Sequence, residues 1–399
     1  MAFFRQCWDI IKIELVAAVQ NFYVEGVFEK SINATFVTLI PKKIGAKELN
    51  DFRPISLVGG VYKIIAKILA ERLKKVMHKL VNKQQMAFIK SKRIMDAVLI
   101  ANKCIDSRKK DKQPGILCKL DIQKAYDHLN WNFLMKMMQM MGFAQRWLKW
   151  TRHCISSVKF SILINRNPYG FFPSKRGLRQ GDPLSPFLFI FGYRGVEQPI
   201  PDCKSKWLDQ RFQSGGKYNK QYRDHASTAV SGLHINWNKS FIYPVNTVPN
   251  IEDLAYKLRG KVGELPTTYL GMPLGAKSKS SGIWSCVIEK CERKLMNWKC
   301  QYLSSGGRLT LVNSVLDALP SYMMSIFLIP AKVTKRLDAI RRNFLWKGSE
   351  DKKKYHLVKW EELLVSKRGG GLNIRDLSTQ NKSLMMKWLW KFVSPEVSL

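Results

Sequence analysis

Between Gly115 and Ile122 the chain alternates: Ile116, Cys118, Leu120 and Ile122 fall on one face, and Leu117, Lys119 and Asp121 on the other. This period of two reads as a β-strand that ends in the carboxylate of Asp121. Asn130 then stands as an N-cap for a helix over Trp131–Met141, with Gly142 as its C-terminal stop. A strand thus delivers an acid to a turn and then to a helix.

The flanking patterns agree. From Phe3 to Val24 the apolar residues Trp8, Ile11, Leu15, Ala18 and Val19 recur at helical spacing. Ala34–Pro41 is a β-rich run closed by Pro41, followed by a polar loop through Asp51 and a helical pattern from Val61 to Leu80. Val158–Ile164 and Gly170–Pro173 flank Asn165–Tyr169 as a hairpin, and Pro183 suits the first turn of an apolar helix reaching Phe191. Farther on, Pro266–Gly275 reads as turn and strand, and helical patterns cover Ile283–Trp298 and Arg308–Leu316. No internal repeat is present, and the methionine stripe at Met135, Met138 and Met141 reads as core.

Charge narrows the partners. Lys and Arg number 67 against 30 Asp and Glu, and the net +37 is spread along the 399 residues. A single run such as Lys352–Lys354 reads as a solvated face, but the total demands a polyanion to relieve self-repulsion. The 46% hydrophobic content is enough for buried cores. No run approaches the roughly 20 apolar residues that span a bilayer, and no secretory signal opens the chain, which predicts a nuclear or cytoplasmic protein without a membrane partner. The 8 cysteines then read as free thiols, and the cluster Cys286, Cys291 and Cys300 matches no common zinc spacing.

Two segments carry the chemistry: CKLDIQKAYDHLNW at 118–131 and GLRQGDPLSPFLF at 177–189. With TFVTLIPKK and DFRPISLVGGVYKIIAKILAERL before them, and SGLHINWNKS and LPTTYLGMPLG after them, they resemble in order the reverse transcriptases of non-LTR, LINE-type retrotransposons. FLWKG at 344–348, GGGLNIRDL at 369–377 and MMKWLWK at 385–391 extend the resemblance to plant elements.

The resemblance implies a right-hand polymerase of α+β type: a helical lead-in over 1–30, fingers and palm over 31–275, and a thumb-like and further C-terminal helical region over 276–399. It implies RNA-directed DNA synthesis on an RNA template and DNA primer, with deoxynucleotides and Mg²⁺. Carboxylates in such sites hold the metal ions that act on the reacting oxygens. Asp121 would be one such ligand, with the Ile122 carbonyl as a second, and Tyr126 would lie beneath the nucleotide sugar. Lys42, Lys43 and Arg53 would meet the triphosphate, the two lysines being alternatives for that role. Gln180 and Gly181 would shape the base pocket, although Gly181 also reads as a turn residue. Lys239 matches a lysine near the triphosphate, with surface charge as the alternative, and Asp127 reads as a cap.

One part is missing. The third palm motif, an aromatic-Ala-Asp-Asp hairpin, belongs between Phe191 and Ser231, where Asp202, Asp209 and Asp224 stand isolated. Residues 193–229 have few branched aliphatics and no periodicity, as if read in another frame. The expectation is a catalytically defective copy with a weakened palm. A non-catalytic basic nucleic-acid-binding remnant and a pseudogene translation are the rivals. The sequence also suggests a start between an endonuclease and the polymerase, with no ribonuclease H after Trp390.

Overall fold

The computed structural model describes residues 2–197, 231–277, 280–298, 303–346 and 358–393. They gather into two compact units, each assembled from separated pieces of chain. The first comprises Met1–Arg93, Cys118–Ile242 and Leu254–Lys261, and the second Ile94–Leu117, Tyr243–Asp253 and Val262–Leu399.

The first unit opens with helices α1 (Ala2–Gln6) and α2 (Trp8–Glu25). The single helix read from Phe3 to Val24 is thus interrupted at Cys7. Gly26, at φ 72°, closes α2 in the left-handed conformation and donates its N–H to the Phe22 carbonyl. Strand β1 spans Ala34–Pro41, as its aromatic and β-branched run implies, and pairs antiparallel with β2 (Phe52–Val58). Helix α3 (Gly60–Leu80) follows and is the spine of the core. Its buried residues Tyr62, Ile65, Ala66, Leu69, Leu73 and Met77 recur at three and four.

Helix α4 (Ile94–Lys110) belongs to the second unit, and strand β3 (Gly115–Lys119) leads the chain back. There the structure corrects the sequence reading. The strand stops at Lys119, and a two-residue strand, β4 (Ile122–Gln123), resumes after a break, so Asp121 lies between strands rather than at the end of one. On the face shared by Ile116, Cys118, Leu120 and Ile122, Cys118 is exposed and Leu120 is 59% exposed.

A short helix α5 (Ala125–His128) precedes α6 (Trp131–Met140), where Asn130 accepts from the N–H groups of Asn132 and Phe133 as the N-cap. Helix α7 (Gln145–Ser156) leads to β5 (Lys159–Ile164) and β6 (Asn167–Pro173). The sheet order is β2-β1-β5-β6, with β1 and β5 parallel. Asn165 and Arg166, at φ 50° and 69°, make a two-residue turn, tighter than the Asn165–Tyr169 loop read from sequence.

Helix α8 runs Ser185–Glu197, so Pro183 sits before its first turn, and the change of texture at Tyr193 does not end the helix. Strand β7 (His234–Ile235) pairs antiparallel with β4. Phe22 of α2, Leu134 and Met138 of α6, Trp150 of α7, and Leu188 and Phe191 of α8 all pack into the α3 core.

The second unit is mainly helical, with a hairpin of Thr267–Tyr269 and Met272–Leu274. Its core includes Trp284, Val312, Leu316, Met324, Leu337 and Ile374. A buried ion pair, Arg341 Nη1 to Asp317 Oδ1 at 2.6 Å, is completed by the Arg375 N–H, which donates to Asp317 Oδ2 at 3.1 Å. Cys7, Cys104, Cys118, Cys154, Cys286 and Cys291 are free thiols. Among the described residues, no helix is long and apolar enough to cross a membrane.

Candidate active site

Asp121 is held by a segment more than a hundred residues away. Its N–H donates to Ser240 Oγ at 3.1 Å and its carbonyl accepts from the Asn236 N–H at 2.7 Å. Ser240 Oγ in turn donates to the Asn236 carbonyl at 2.8 Å. These bonds take the place of strand pairing and explain why the ladder breaks before Asp121. Ile122 pairs with Ile235 just beyond the break. Lys239 ends the 3₁₀ turn Trp237–Lys239 inside the same segment, with its side chain in solvent. The structure therefore brings Asp121, Ile122 and Lys239 together through their backbones.

Lys124, at φ 42°, turns the chain from β4 into α5, which presents Tyr126. The Tyr126 ring stacks on Phe189 at 5.2 Å and an interplanar angle of 14°, and burial raises its phenol above the ordinary tyrosine value. The GLRQG segment docks on this turn. Gly177 N–H donates to the Leu129 carbonyl at 2.8 Å, and Leu178 N–H donates to the Tyr126 carbonyl at 2.6 Å. Gly177 sits at φ 79°, and a Cβ there would lie 2.6 Å from the Asp127 carbonyl oxygen. Asp127 itself is exposed on α5.

The segment's other end meets β2. Gln180 accepts the Ser56 N–H at 2.8 Å, and Gly181, at φ 111°, passes so close that a Cβ would stand 2.9 Å from the Ser56 carbonyl oxygen. A chain of backbone contacts thus joins Tyr126, Gln180 and Gly181 to the strand that carries Arg53.

Arg53 is exposed opposite Ile40, near the end of the β1–β2 pair from which Lys42 and Lys43 continue. Lys42 Nζ donates to the Asn50 carbonyl at 2.7 Å, and Lys43 Nζ pairs with Asp51 Oδ1 at 2.8 Å. The Lys43 bond holds the Asp51 carboxyl below its ordinary range. Among the described residues, no hydrogen bond or ion pair joins the Asp121 carboxylate to any of these cations.

Sequence reasoning missed the buried network beneath this segment. Arg179 donates to Asn33 Oδ1 at 2.6 Å, Thr35 Oγ1 at 3.0 Å and Asp182 Oδ2 at 2.8 Å. Tyr62 Oη also donates to Asp182 Oδ2, at 2.7 Å, and Leu184 N–H donates to Asp182 Oδ1 at 2.8 Å. Burial pushes the Tyr62 phenol well up. The signal was the Arg179-to-Asp182 spacing inside an otherwise apolar and glycine-bearing motif. Nearby, the rings of His128 and His234 meet edge-on at 5.9 Å, and burial followed by the charge of Arg176 lowers the His128 value.

Mg²⁺ takes near-octahedral oxygen shells with one or two carboxylates, and a two-metal site needs several. Among the described residues, no group of three or more His, Cys, Asp or Glu gathers where it could hold a metal. The described residues therefore do not by themselves fit a metal pair. Of the interval between Phe191 and Ser231 where the third motif belongs, residues 198–230 lie outside the described residues.

Residues 40–274 match the family model described as reverse transcriptase (RNA-dependent DNA polymerase). The chain is 25% identical over 378 residues to a transposon TX1 uncharacterized 149 kDa protein of Xenopus laevis, covering 87% of this chain and 28% of that one. It is 35% identical over 128 residues to a putative ribonuclease H protein of Arabidopsis thaliana, covering 32% of this chain and 21% of that one. A Pol polyprotein from the retrotransposable element R2 of Popillia japonica is 25% identical over 172 residues, 43% of this chain and 24% of that one. The chain thus spans under a third of the length of these relatives. Among solved structures, apo telomerase from Candida tropicalis aligns with 84% of this chain and 62% of its own at 13% identity and a TM-score of 0.41. A Candida albicans telomerase with a telomeric RNA fragment aligns with 95% of this chain and 66% of its own at 11% identity and a TM-score of 0.36. The chain belongs to the reverse transcriptase family and is related to the proteins of the TX1 and R2 non-LTR retrotransposons.

Proposed function

We propose that the chain is the polymerase region of a plant LINE-type element that keeps its nucleic-acid-binding surface and has lost nucleotide transfer. The observation that carries this reading is Asp121: a carboxylate fixed by its backbone to Asn236 and Ser240, with no aromatic-Ala-Asp-Asp partner anywhere between Phe191 and Ser231. The net charge of +37 supports retained binding to RNA template and DNA primer. In this reading fingers and palm occupy 31–275, a helical lead-in 1–30 and a thumb-like region 276–399, and the protein works in the nucleus or cytoplasm. Arg53, one of Lys42 and Lys43, and Lys239 serve the triphosphate, while Tyr126, Gln180 and Gly181 line the nucleotide pocket.

The test is primer extension on an RNA template with deoxynucleotides and Mg²⁺ or Mn²⁺, run beside a binding assay on the same duplex. Binding without extension is the expected result, with a transfer rate at least on the order of 10³-fold below an intact relative. Extension that disappears in Asp121→Asn overturns the loss of transfer, and absence of binding overturns the retained surface.

A further inference from the structure

Helix α2 carries apolar residues well beyond its buried face. Leu15 and Phe22 are buried, yet Trp8, Val16, Tyr23 and Val24 are exposed, Ile10 is 80% exposed and Ile13 is 74% exposed. Together with α1 and α3, helix α2 bounds a groove of about 520 Å³ whose floor is Phe4, Trp8, Val16, Val19, Ile64 and Ile68. Through Ile64, Lys67 and Ile68 the groove continues along α3 into a second hollow of about 390 Å³.

The rim is cationic. Arg5 and Lys67 border the larger hollow, and Arg72 and Lys75 border the smaller one. The guanidinium groups of Arg72 and Arg146 both lie over the Tyr23 ring, at 5.9 and 4.3 Å. Glu71, an acid among the lining residues, is taken by Lys74 at 2.5 Å. Among the described residues, none of Arg5, Lys67, Arg72, Lys75 or Arg146 forms an ion pair.

We propose that this groove docks an acidic amphipathic helix of a protein partner, its apolar stripe on the α2–α3 floor and its carboxylates on the Arg5, Lys67, Arg72 and Lys75 rim. Charge chooses between occupants. A second copy of the chain brings the same +37 and is repelled. A nucleic acid satisfies the rim but leaves the aliphatic floor of Val16, Val19, Ile64 and Ile68 unburied. A helix with anchors at i, i+3, i+4 and i+7 satisfies both. Helix α2, 18 residues long, offers a track of roughly 27 Å. None of the proposed polymerase residues lines the groove, so this inference stands or falls apart from that reading.

Fluorescence anisotropy with the full chain tests it. The probes are two labelled peptides of about 18 residues, both made of Leu and Glu in equal composition, one ordered at helical spacing and one scrambled. A single-stranded RNA of about the same charge is the competitor. The ordered peptide is expected to bind roughly ten-fold tighter than the scramble, and Ile68→Glu is expected to abolish that preference. Lys67→Glu combined with Lys75→Glu weakens the ordered peptide without touching the floor, which keeps the test decisive if Ile68→Glu fails to fold. Equal binding of both peptides reduces the groove to plain charge and overturns the proposal. Displacement of the ordered peptide by RNA, undiminished in Ile68→Glu, assigns the face to nucleic acid and overturns it as well.

Discussion

The Arg179 guanidinium stands 4.0 Å over the Tyr62 ring, and both side chains converge on Asp182 Oδ2, Arg179 at 2.8 Å and Tyr62 at 2.7 Å. Arg179 and Asp182 are each about 4% exposed at the side chain, so neither charge has water to fall back on. Arg179→Met strands Asp182 and also leaves Asn33 Oδ1 and Thr35 Oγ1 without their donor. We expect a loss of about 3–5 kcal/mol in chemical denaturation. Arg179→Lys should recover only part of it, because a single ammonium cannot reach three acceptors and lie flat on the ring. A variant as stable as the parent contradicts this account.

Glycine substitutions separate backbone strain from collision. Gly142 is at φ 85° with nothing within 4 Å of a built Cβ, whereas at Gly232, φ 75°, a Cβ would sit 2.2 Å from the His128 carbonyl oxygen. Gly142→Ala should cost about 1–2 kcal/mol, the left-handed penalty alone. Gly232→Ala should exceed about 4 kcal/mol, because Ser231 also holds Asn130 across the same gap at 2.9 Å. Similar melting temperatures for the two variants would show that the 231–233 turn can move away.

Acid should weaken the first unit through His153. Its Nε2 lies 3.1 Å from both the nitrogen and the oxygen of Phe28, and its ring meets the Phe28 ring edge-on at 4.4 Å. Burial, opposed by the Phe28 backbone bond and aided by Lys30 and Lys149, lowers its value in the fold. The unfolded chain, titrating near about 6.5, then binds more protons than the folded one. The stability tied to His153 is full above that value and drains away as pH falls through the folded value. Urea midpoints at neutral and mildly acidic pH should converge more closely in His153→Gln than in the parent.

Binding to an RNA–DNA primer duplex should fall steeply with salt. A surface neutralising about six phosphates loses on the order of 10³-fold between 50 and 200 mM salt. Asp121→Asn should leave that slope unchanged, while Arg53→Ala and Lys239→Ala should weaken nucleotide binding and leave the duplex slope nearly intact. Filter binding across a salt series reads both effects.

Local patterns carried much of the fold into the sequence. The bounds of β1, the α3 stripe from Tyr62 to Met77 and the Asn130 cap follow from neighbours a few residues apart. The break before Asp121 was illegible because its cause, Asn236 and Ser240, lies more than a hundred residues downstream. Arg179 is one of 67 Lys and Arg in the chain. Only the convergence of Asn33, Thr35 and Tyr62 on it, from two other parts of the chain, reveals a buried charge. At the candidate site the contacts that hold the segments, such as Ser56 on Gln180 and Asn236 on Asp121, likewise come from far along the chain.

The first unit takes its first stretch from residues up to Arg93 and its last from Leu254–Lys261. On a ribosome adding about 5–20 residues per second, the early stretch waits roughly 8–34 s for the last piece to emerge. For roughly the first 5–19 s of that wait, until residues out to Leu188 emerge, the core face of α3, including Ile65, Leu69 and Leu73, lacks part of the set Leu134, Trp150 and Leu188 that it packs against. Nascent chains of this protein are therefore natural clients for chaperones that shelter apolar helices, and slowing translation between Arg93 and Leu254 should lengthen that dependence.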